Sequence, residues 1–273
     1  MPNSLRRLFK LERRPKPLPD TLLPEMVRGN RILLCLDYDG TLSEIAPEPR
    51  LARPVPGALG ALMSLAGRRD RVELAIVSGR ELDDLRERMP LRGVALSGAH
   101  GLQFLDAEGN YELAEGIAEC RDDFERVRRW LDENVPVGGF AIEDKEIAIA
   151  LHYRNAPPAM GSYVRDAFAR FVAECTTNLA ARHGKMVVEA LPKFASKANA
   201  VKALIVRNGG RVPVYFGDDL TDEDAFAAIG ENGVSVLVGE PRRSAAPYRV
   251  KGPRDVVRIL TEIASVLGRD RPR

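Results

Sequence analysis

The feature that most constrains the fold of this chain is a run of five apolar residues, Ile32–Leu36, which precedes Asp37, Asp39, Gly40 and Thr41. An apolar run without polar alternation is typical of a strand that is buried on both faces of a parallel sheet. Ligands of open α/β sheets bind just beyond the carboxyl ends of such strands. Two carboxylates so close together repel each other unless a cation lies nearby. The stretch therefore predicts a buried strand that ends at an acidic site. The alternative is a polar strand end that turns into a loop.

Composition limits the classes of protein to which the chain can belong. Its 273 residues are 45% hydrophobic and 29% charged, with a formal net charge of +2, which is ordinary for a soluble globular protein. The balanced charge gives no support for nucleic-acid binding, and no apolar run reaches the roughly 18 residues of a membrane helix. The N-terminus lacks a secretory signal, and the three cysteines lack metal-ligand spacing, which indicates a reducing compartment. We therefore expect a cytoplasmic protein that acts on a small molecule, with neither nucleic acid nor membrane as a partner. The oligomeric state stays open, with a monomer slightly favoured.

The order of predicted strands and helices divides the chain into a core and an insertion. Residues 29–114 and 191–273 alternate apolar strands with amphipathic helices, which is typical of parallel sheets with right-handed crossovers. Residues 115–190 follow a different order of helix, hairpin, helix and strand, with the hairpin turn predicted at residues 143–146. We therefore expect an α/β protein with a parallel sheet and an inserted α+β cap domain.

Residues 1–28 differ from the rest of the chain in composition. They carry a cluster of basic residues that is interrupted by Pro15, Pro17 and Pro19. A basic arm of this kind can tether a protein to nucleic acid or to a membrane, but it is more often a solvated segment. We therefore interpret residues 1–28 as a solvated, basic and proline-rich leader.

Polar residues also follow the second predicted strand and begin a later helix. Ser78, Gly79 and Arg80 come directly after the strand predicted at residues 72–77, where a hydroxyl and backbone N–H groups at a helix N-terminus suit an anion such as phosphate. Lys197 stands at the start of the helix that enters the second part of the core. Taken singly, both signals are weak, because most such lysines are surface charges. They gain weight from the acidic residues at neighbouring strand ends.

A second acidic group, Asp218, Asp219 and Asp222, follows a later predicted strand. Together with Asp37 and Asp39 it forms a set of carboxylates suited to a hard divalent cation. Mg²⁺ prefers oxygen ligands and is typically held by one or two carboxylates and a substrate phosphate. An aspartate can also attack phosphorus and form a phosphoaspartate, which divides one hard displacement into two. These residues therefore predict Mg²⁺-assisted phosphoryl chemistry.

The polar clusters, in this order, resemble the motifs of the haloacid dehalogenase-like phosphohydrolases. Asp37-Tyr-Asp-Gly-Thr41 is similar to their first motif, Ser78 to the second, Lys197 to the third, and Gly217-Asp-Asp with Asp222 to the fourth. More narrowly, the chain from about residue 31 to 240 resembles the trehalose-6-phosphate phosphatases. The segments that carry this closer resemblance are residues 37–42, 77–80, 98–101, 143–145, 152–154, 188–189 and 217–223.

The resemblance implies a Rossmann-like core, a mobile inserted cap and a two-step phosphoryl transfer. It makes Asp37 the nucleophile, and Asp39 the group that protonates the leaving sugar oxygen and then activates water. It places Mg²⁺ at the Asp37 carboxylate, the Asp39 backbone carbonyl and Asp218, with Asp219 or Asp222 in support. The phosphate ligands that we expect are Thr41, Ser78, Gly79, Arg80 and Lys197.

Five further residues are candidates for selecting the sugar. Lys145 lies at the predicted hairpin turn, where a solvated lysine is the alternative. His152 and Arg154 leave a strand on one face, where the alternative is a surface edge. Glu189 is a lone acid in an apolar strand, and a buried acid without a partner is costly, which favours a ligand or a salt bridge. His100, in a glycine-flanked loop, is the fifth candidate, with a core or loop histidine as the alternative.

The resemblance therefore implies a Mg²⁺-dependent phosphatase that hydrolyses trehalose 6-phosphate through an aspartyl-phosphate intermediate. Another phosphatase of the superfamily, acting on sucrose phosphate or a mannosyl phosphate, is the alternative. A non-catalytic regulatory subunit is a further alternative, but such a relative is expected to lose Asp37 or Asp39, and both are present. The chain departs from the family pattern at Phe194 and Ala198, where glycine is common.

Overall fold

The structure, a computed structural model, describes four stretches of the chain: residues 14–46, 49–145, 147–184 and 186–269. The chain divides into two compact units. The first combines the segment that ends at Glu112 with the segment that begins at Ser196, and the second is Leu113–Ala195. These divisions fall after Glu112 and Ala195, where the sequence predicts them after residues 114 and 190.

Both units contain strands and helices. The strands are β1 Lys16–Pro17, β2 Ile32–Leu36, β3 Val72–Val77, β4 Ala95–Gly98, β5 Gln103–Leu105, β6 Tyr111–Leu113, β7 Ala141–Lys145, β8 Ala148–His152, β9 Leu179–Gly184, β10 Val187–Pro192, β11 Val212–Gly217, β12 Val234–Val238 and β13 Tyr248–Val250. The helices are α1 Leu22–Gly29, α2 Ala58–Ala66, α3 Leu82–Arg88, α4 Arg121–Asn134, α5 Pro158–Cys175, α6 Lys197–Arg207, α7 Thr221–Ile229 and α8 Pro253–Arg269. Within the described ranges, none of the helices is long and apolar enough to cross a membrane.

The larger sheet has the order β1-β13-β12-β11-β2-β3-β4-β5-β6 in the described part of the chain. In this spatial order, each pair of neighbouring strands between β1 and β4 is parallel, and β5 is antiparallel to β4. Strand β2 lies between β11 and β3, so the carboxyl ends of these three strands meet at one edge of the sheet. The α/β fold with a mainly parallel sheet is as predicted from the sequence.

The unbroken apolar run of β2 is explained by helices on both faces of this sheet. Ile32, Leu34 and Leu36 pack on one face with residues of α1, α2, α3 and α8. Leu33 and Cys35 point to the other face, where α6 and α7 cover them. Because successive residues of a strand face opposite sides, a strand buried on both faces requires apolar residues at every position.

The N-terminal segment is not the solvated leader that the sequence predicts, as far as it is described. Strand β1 pairs with β13, and the backbone N–H of Leu18 donates to the Arg249 carbonyl at 2.9 Å. Helix α1 then buries Leu23 and Val27 in the core of the first unit. An unpaired sheet edge is a liability that chains commonly cover, and here β1 pairs with the outer side of β13. Residues 1–13 lie outside the described residues.

The second unit is an antiparallel sheet with the order β7-β8-β10-β9. Ile149, Leu151 and Val188 face helices α4 and α5, which contribute Phe124 and Phe168 to the buried cluster. Two details differ from the sequence prediction. Strand β7 runs on to Lys145, which pairs with Ala148, so the hairpin turn comes after Lys145 and does not begin at residue 143. Strand β9 occupies a stretch for which no strand was predicted.

Candidate active site

Three sequence motifs meet at the edge where β2, β3 and β11 end. Asp37 follows β2, Ser78 follows β3, and Asp218 follows β11. The backbone N–H of Asp37 donates to the Phe216 carbonyl at 2.9 Å, which continues the pairing of β2 with β11 by one residue. The Asp37 side chain is thereby held almost fully buried among acidic neighbours.

A buried lysine joins two of these acids. The Lys197 ammonium lies 2.8 Å from Asp37 Oδ1 and 2.8 Å from Asp222 Oδ1. Lys197 is the first residue of α6, and the Ser196 hydroxyl caps this helix by accepting from the Ala198 N–H at 3.0 Å. An alanine suits the first turn of a helix, so the departure at Ala198 is compatible with the position of Lys197. Burial by itself lowers the pKa of Lys197, but the Asp37 and Asp222 carboxylates together raise it above its ordinary value.

Asp222 organises the loop that carries Asp218. Among the described residues its carboxylate accepts from the Lys197 ammonium and the Tyr215 hydroxyl through Oδ1, and from the N–H groups of Asp218 and Asp219 through Oδ2. These contacts fill both oxygens, and the side chain is fully buried. We interpret Asp222 as the residue that orients Lys197 and the Asp218 loop.

The site residues fit a divalent cation. Within the described stretches, Asp37, Asp218 and Asp222 bring one carboxylate oxygen each to within 4.8 Å of one another. Three acidic side chains thus lie beside a single lysine, and oxygen ligands of this kind suit a hard divalent ion. The exposed Asp219 is outside this group.

The pKa values of the acids reflect this crowding. Burial, opposed by Lys197 and assisted by Asp222 and Asp218, raises the pKa of Asp37 well above its ordinary value. Burial and then the Asp222 carboxylate raise the pKa of Asp218 to about 6. Burial and the neighbouring acids thus disfavour the ionised form of both carboxyls, and a cation bound beside them would favour it.

Gly40 permits the close approach of two loops in this site. A Cβ at this residue would lie 1.9 Å from Asp218 Oδ2, and its φ of +73° is one that L side chains rarely adopt. The glycine in the first motif is therefore required for Asp218 to reach Asp37. A cavity of about 500 Å³ adjoins Gly40 and Asp218, so a ligand can reach this part of the site.

Two hydroxyls that were predicted to bind phosphate are buried in the same unit. The Ser78 hydroxyl is 1% exposed and accepts from the Arg80 N–H at 3.2 Å. The Thr41 hydroxyl is fully buried and has no hydrogen-bond partner in the part of the chain that the structure describes. An orphaned buried hydroxyl is costly, which is the property expected of a group that completes its hydrogen bonds with a ligand.

His100 lies in the first unit, on the turn after β4, and not in the inserted unit with the other sugar candidates. Its backbone N–H donates to the Ser78 carbonyl at 3.1 Å. A Cβ at Gly79 would lie 2.6 Å from the His100 ring, so the glycine makes room for that ring beside the Ser78 loop. His100 thus supports the predicted phosphate loop in this structure.

Arg80 and Asp39 form an ion pair beside the acid cluster. The guanidinium Nε and Nη2 atoms of Arg80 donate to the two carboxylate oxygens of Asp39 at 2.7 and 2.6 Å. A further Arg80 nitrogen donates to Asp84, which also binds Arg88. The sequence reasoning overlooked Asp84 and Arg88. The available signal was their spacing, because Asp84 lies four residues after Arg80 and Arg88 lies four residues after Asp84, a spacing at which side chains can pair along a helix.

Three of the candidate sugar ligands lie on one face of the sheet in the second unit. Glu143 and Glu189 both pair with Ala150, and paired residues of an antiparallel sheet share a face. Lys145 and His152 lie two residues further along the same strands and so share that face, opposite the helices. His152 Nε2 lies 3.2 Å from the Glu143 carboxylate.

Arg154 and Arg182 also have to be placed relative to this group of candidates. Arg154 lies beyond the end of β8 and is exposed. Arg182, which sequence reasoning missed because β9 was not predicted, pairs directly with Glu189 and so stands on the same face as the candidates. The apolar pattern of this stretch is interrupted by its charged residues, so no clear strand signal was available.

The fold of this chain is also found in solved structures of other proteins. A haloacid dehalogenase-like hydrolase from Bacteroides thetaiotaomicron has the same fold, with a TM-score of 0.61 at 14% identity over 88% of this chain and 99% of that one. The parallel sheet with acids at its strand ends is therefore a haloacid dehalogenase-like fold.

Closer similarities identify the family. A family model described as trehalose-phosphatase matches residues 35–254, and the chain belongs to this family. It is 33% identical to a trehalose-phosphate phosphatase of Mycobacterium marinum, over 94% of this chain and 68% of that protein. A trehalose-6-phosphate phosphatase structure from Aspergillus fumigatus covers 92% of this chain and 99% of that one, with a TM-score of 0.69 and 26% identity.

A further relative is much longer than this chain. The chain is 34% identical to an uncharacterized glycosyl hydrolase of Mycobacterium tuberculosis, over 90% of this chain but only 20% of that protein. The chain thus spans about a fifth of the length of that relative, so the matched region is a part of a larger protein there.

Proposed function

We propose that the chain is a Mg²⁺-dependent phosphatase that hydrolyses trehalose 6-phosphate to trehalose and phosphate. The observation that carries this proposal is the buried group of Asp37, Lys197 and Asp222, with the partly buried Asp218 beside it, at the strand ends of a trehalose-phosphatase family member. A buried carboxylate beside a cation and a candidate divalent-ion site suits phosphoryl transfer, which depends on positioning and on electrostatic stabilisation.

The first half of the reaction transfers the phosphoryl group to the enzyme. An Asp37 carboxylate oxygen forms a bond to phosphorus while the bond from phosphorus to the sugar oxygen breaks. Asp39, which is paired with Arg80 in this structure and has to bind a proton before this step, gives that proton to the departing oxygen, so trehalose leaves as a neutral alcohol. In the second half, Asp39 takes a proton from water, the water oxygen attacks phosphorus, and the bond to Asp37 breaks with release of phosphate.

The remaining residues of the first unit bind the phosphoryl oxygens. Lys197 contributes a positive charge that Asp222 keeps in place, and the Ser78 and Thr41 hydroxyls contribute donors. Mg²⁺, held by the carboxylates of Asp37 and Asp218 and the Asp39 carbonyl, would neutralise the charge of the transferring group. The ion would also keep Asp37 ionised, against the effect of burial on its pKa.

We propose further that the helix-free sheet face of the second unit selects the sugar. Lys145, His152 and Glu189 present charged and hydrogen-bonding groups on this face, and exposed Arg154 follows it. Sugar hydroxyls both donate and accept hydrogen bonds, so a mixed set of an acid and cations suits them. Sucrose phosphate and mannosyl phosphates carry the same groups and therefore are the competing substrates to test.

The experiment is a phosphate-release assay with the purified chain. We expect release from trehalose 6-phosphate in Mg²⁺, loss of release in EDTA, and recovery when Mg²⁺ is restored. Sucrose 6-phosphate, mannose 6-phosphate and glucose 6-phosphate are compared at equal concentration. A higher kcat/KM for one of them would overturn the choice of sugar, and full activity in EDTA would remove the metal from the mechanism.

The Asp37→Asn variant is the control for the nucleophile. It is expected to keep the fold, as judged by circular dichroism, and to lose phosphate release by about 10³-fold or more, because the amide is a poor nucleophile. Near-normal turnover by this variant would show that another group attacks phosphorus.

A further inference from the structure

We propose that Asp84 and Arg88 are positioning residues for proton transfer, because they fix Arg80 and, through it, the orientation of the Asp39 carboxylate. The inference rests on the proposed function, in which Asp39 protonates the leaving oxygen. Asp84 and Arg88 lie on α3, outside the motifs that point to the site.

The contact of Arg80 with Asp39 fixes the plane of the carboxylate. The two parallel hydrogen bonds, from Nε at 2.7 Å and from Nη2 at 2.6 Å, form a bidentate pair. Such a pair restrains both the position and the rotation of the acid, unlike a single contact from a lysine. The Arg80 side chain is 8% exposed and its guanidinium lies 5.1 Å above the buried Tyr38 ring, whereas the Asp39 side chain is 43% exposed.

Asp84 and Arg88 extend this contact into the body of the protein. Arg80 Nη1 donates to Asp84 Oδ2 at 2.6 Å, and Arg88 donates to Asp84 Oδ1 through Nε at 2.9 Å and through Nη2 at 2.7 Å. Arg88 is itself anchored, because its Nη1 donates to the Ala52 carbonyl at 2.6 Å. Hydrogen bonds therefore connect the Ala52 backbone in turn to Arg88, Asp84, Arg80 and the partly exposed carboxylate of Asp39.

Stability alone does not account for this arrangement. An ion pair with a half-exposed carboxylate contributes little to the free energy of unfolding, yet the side chains of Arg80 and Arg88 are 8% and 6% exposed. Burying two guanidinium groups is costly unless each is fully paired. The last member of the row is the proposed proton donor, and a displacement of about 1 Å from productive geometry can cost ~10²-fold in rate.

The step that Asp39 serves can be isolated by the choice of substrate. A series of substituted phenyl phosphates varies the pKa of the leaving group while the phosphate and the ring stay constant. A leaving group of low pKa departs without a proton, whereas one of high pKa depends on the acid. The value of kcat/KM reports the reaction only as far as departure of the leaving group, so the later attack of water does not enter it.

The test compares Asp84→Asn and Arg88→Lys with the wild type in Mg²⁺. We expect kcat/KM to fall by about 10-fold for the phenyl phosphates of highest leaving-group pKa and for trehalose 6-phosphate, and by less than about 2-fold for p-nitrophenyl phosphate. A plot of log kcat/KM against leaving-group pKa should therefore become steeper. Arg88→Lys retains the charge but not the fork, so it serves if Asp84→Asn fails to fold.

The matched control is Asp83→Asn on the same turn of α3, where the side chain is 93% exposed and pairs only loosely with Arg86 at 3.5 Å. It should leave the plot unchanged. An equal loss on all substrates in Asp84→Asn and Arg88→Lys would show a purely structural role and overturn the proposal, as would no loss at all.

Asp39→Asn separates this inference from the proposed function. If Asp39→Asn steepens the plot and Asp84→Asn does not, the role of Asp84 and Arg88 is wrong while Asp39 remains the acid. If Asp39→Asn leaves the slope unchanged, Asp39 is not the acid, and both the proposed proton transfer and the positioning role are overturned.

Discussion

At the scale of single residues, Gly40 decides whether the two acidic motifs can approach each other. A Cβ there would lie 1.9 Å from Asp218 Oδ2, and the backbone has a φ of +73°. We expect Gly40→Ala to displace Asp218, to weaken Mg²⁺ binding and to reduce phosphate release by about 10²-fold, since geometry at the reacting centre is lost. Isothermal titration with Mg²⁺ and the phosphate assay measure the two effects.

Gly60→Ala is the control for this substitution. Gly60 lies within α2, and a Cβ there meets nothing within 4 Å among the described residues. The change should leave activity intact and raise the free energy of unfolding by about 0.5–1 kcal/mol, since alanine is the better helix former. Equal activity of both variants would contradict the account of Gly40.

The crowded acids predict that the stability of the fold depends on pH and that the stabilising effect of Mg²⁺ depends on pH in the opposite direction. The pKa of Asp218 is raised from 3.8 to about 6 on folding, so the folded state binds this proton more tightly. Its stabilising contribution is complete below pH 3.8 and is lost as the pH rises through about 6. Metal binding requires the ionised form. We therefore expect the rise in melting temperature caused by Mg²⁺ to be larger at pH 7.5 than at pH 5.

Asp218→Asn tests the assignment of this effect. The variant cannot titrate at this position, so its metal-free melting temperature should depend less on pH between 5 and 7 than that of the wild type. Thermal unfolding in EDTA and in Mg²⁺ at several pH values provides the comparison. A stabilisation by Mg²⁺ that does not change with pH would contradict the raised pKa.

The sequence predicted which polar residues lie at one edge of the sheet, but not every contact that holds them there. Asp37, Ser78, Lys197 and Asp218 could be assembled because each follows a strand or begins a helix of a recognisable α/β pattern. The role of Asp222 could not, because it depends on the Tyr215 hydroxyl and two backbone N–H groups whose directions only the folded loop defines. Sequence spacing carries no such directions.

At the scale of elements, the same limit separates the strands that were predicted from those that were missed. Strand β2 was evident because helices on both faces demand five apolar residues in succession. Strand β9 was missed because Arg182 and the exposed His183, successive residues on opposite faces of the sheet, interrupt its apolar pattern. The edge strand β1 has only two residues, and its pairing with β13 is a long-range contact that local sequence does not encode.

The docked N-terminal elements yield a prediction about stability. Leu23 of α1 is 1% exposed, so Leu23→Ala should lower the free energy of unfolding by about 2–5 kcal/mol through lost burial and a cavity. Leu51→Ala, at a site that is 55% exposed, is the control and should change stability by less than about 0.5 kcal/mol. Urea unfolding of both variants measures these changes. If residues 1–28 were a solvated leader, Leu23→Ala would lower the free energy of unfolding no more than the control does.

At the scale of the whole molecule, the two units divide the work that we propose between chemistry and selection. The first unit contains the acid cluster, Lys197 and the phosphate loop, and the second contains the sheet face with Glu189. Glu189 lies within an otherwise apolar stretch of β10 and is only partly exposed. A carboxylate retained at such a position is most simply explained by a ligand or an ion pair.

Glu189→Ala separates selection from chemistry. If Glu189 binds sugar hydroxyls, the loss of a hydrogen bond to a charged group should reduce kcat/KM for trehalose 6-phosphate by about 10- to 100-fold. The value for p-nitrophenyl phosphate, which has no sugar, should stay within about 2-fold of the wild type. Glu125→Ala, at an exposed position on α4 in the same unit, should affect neither substrate. Equal losses on both substrates in Glu189→Ala would assign Glu189 to the structure of the second unit, and the selection of the sugar would then have to be sought elsewhere in the chain.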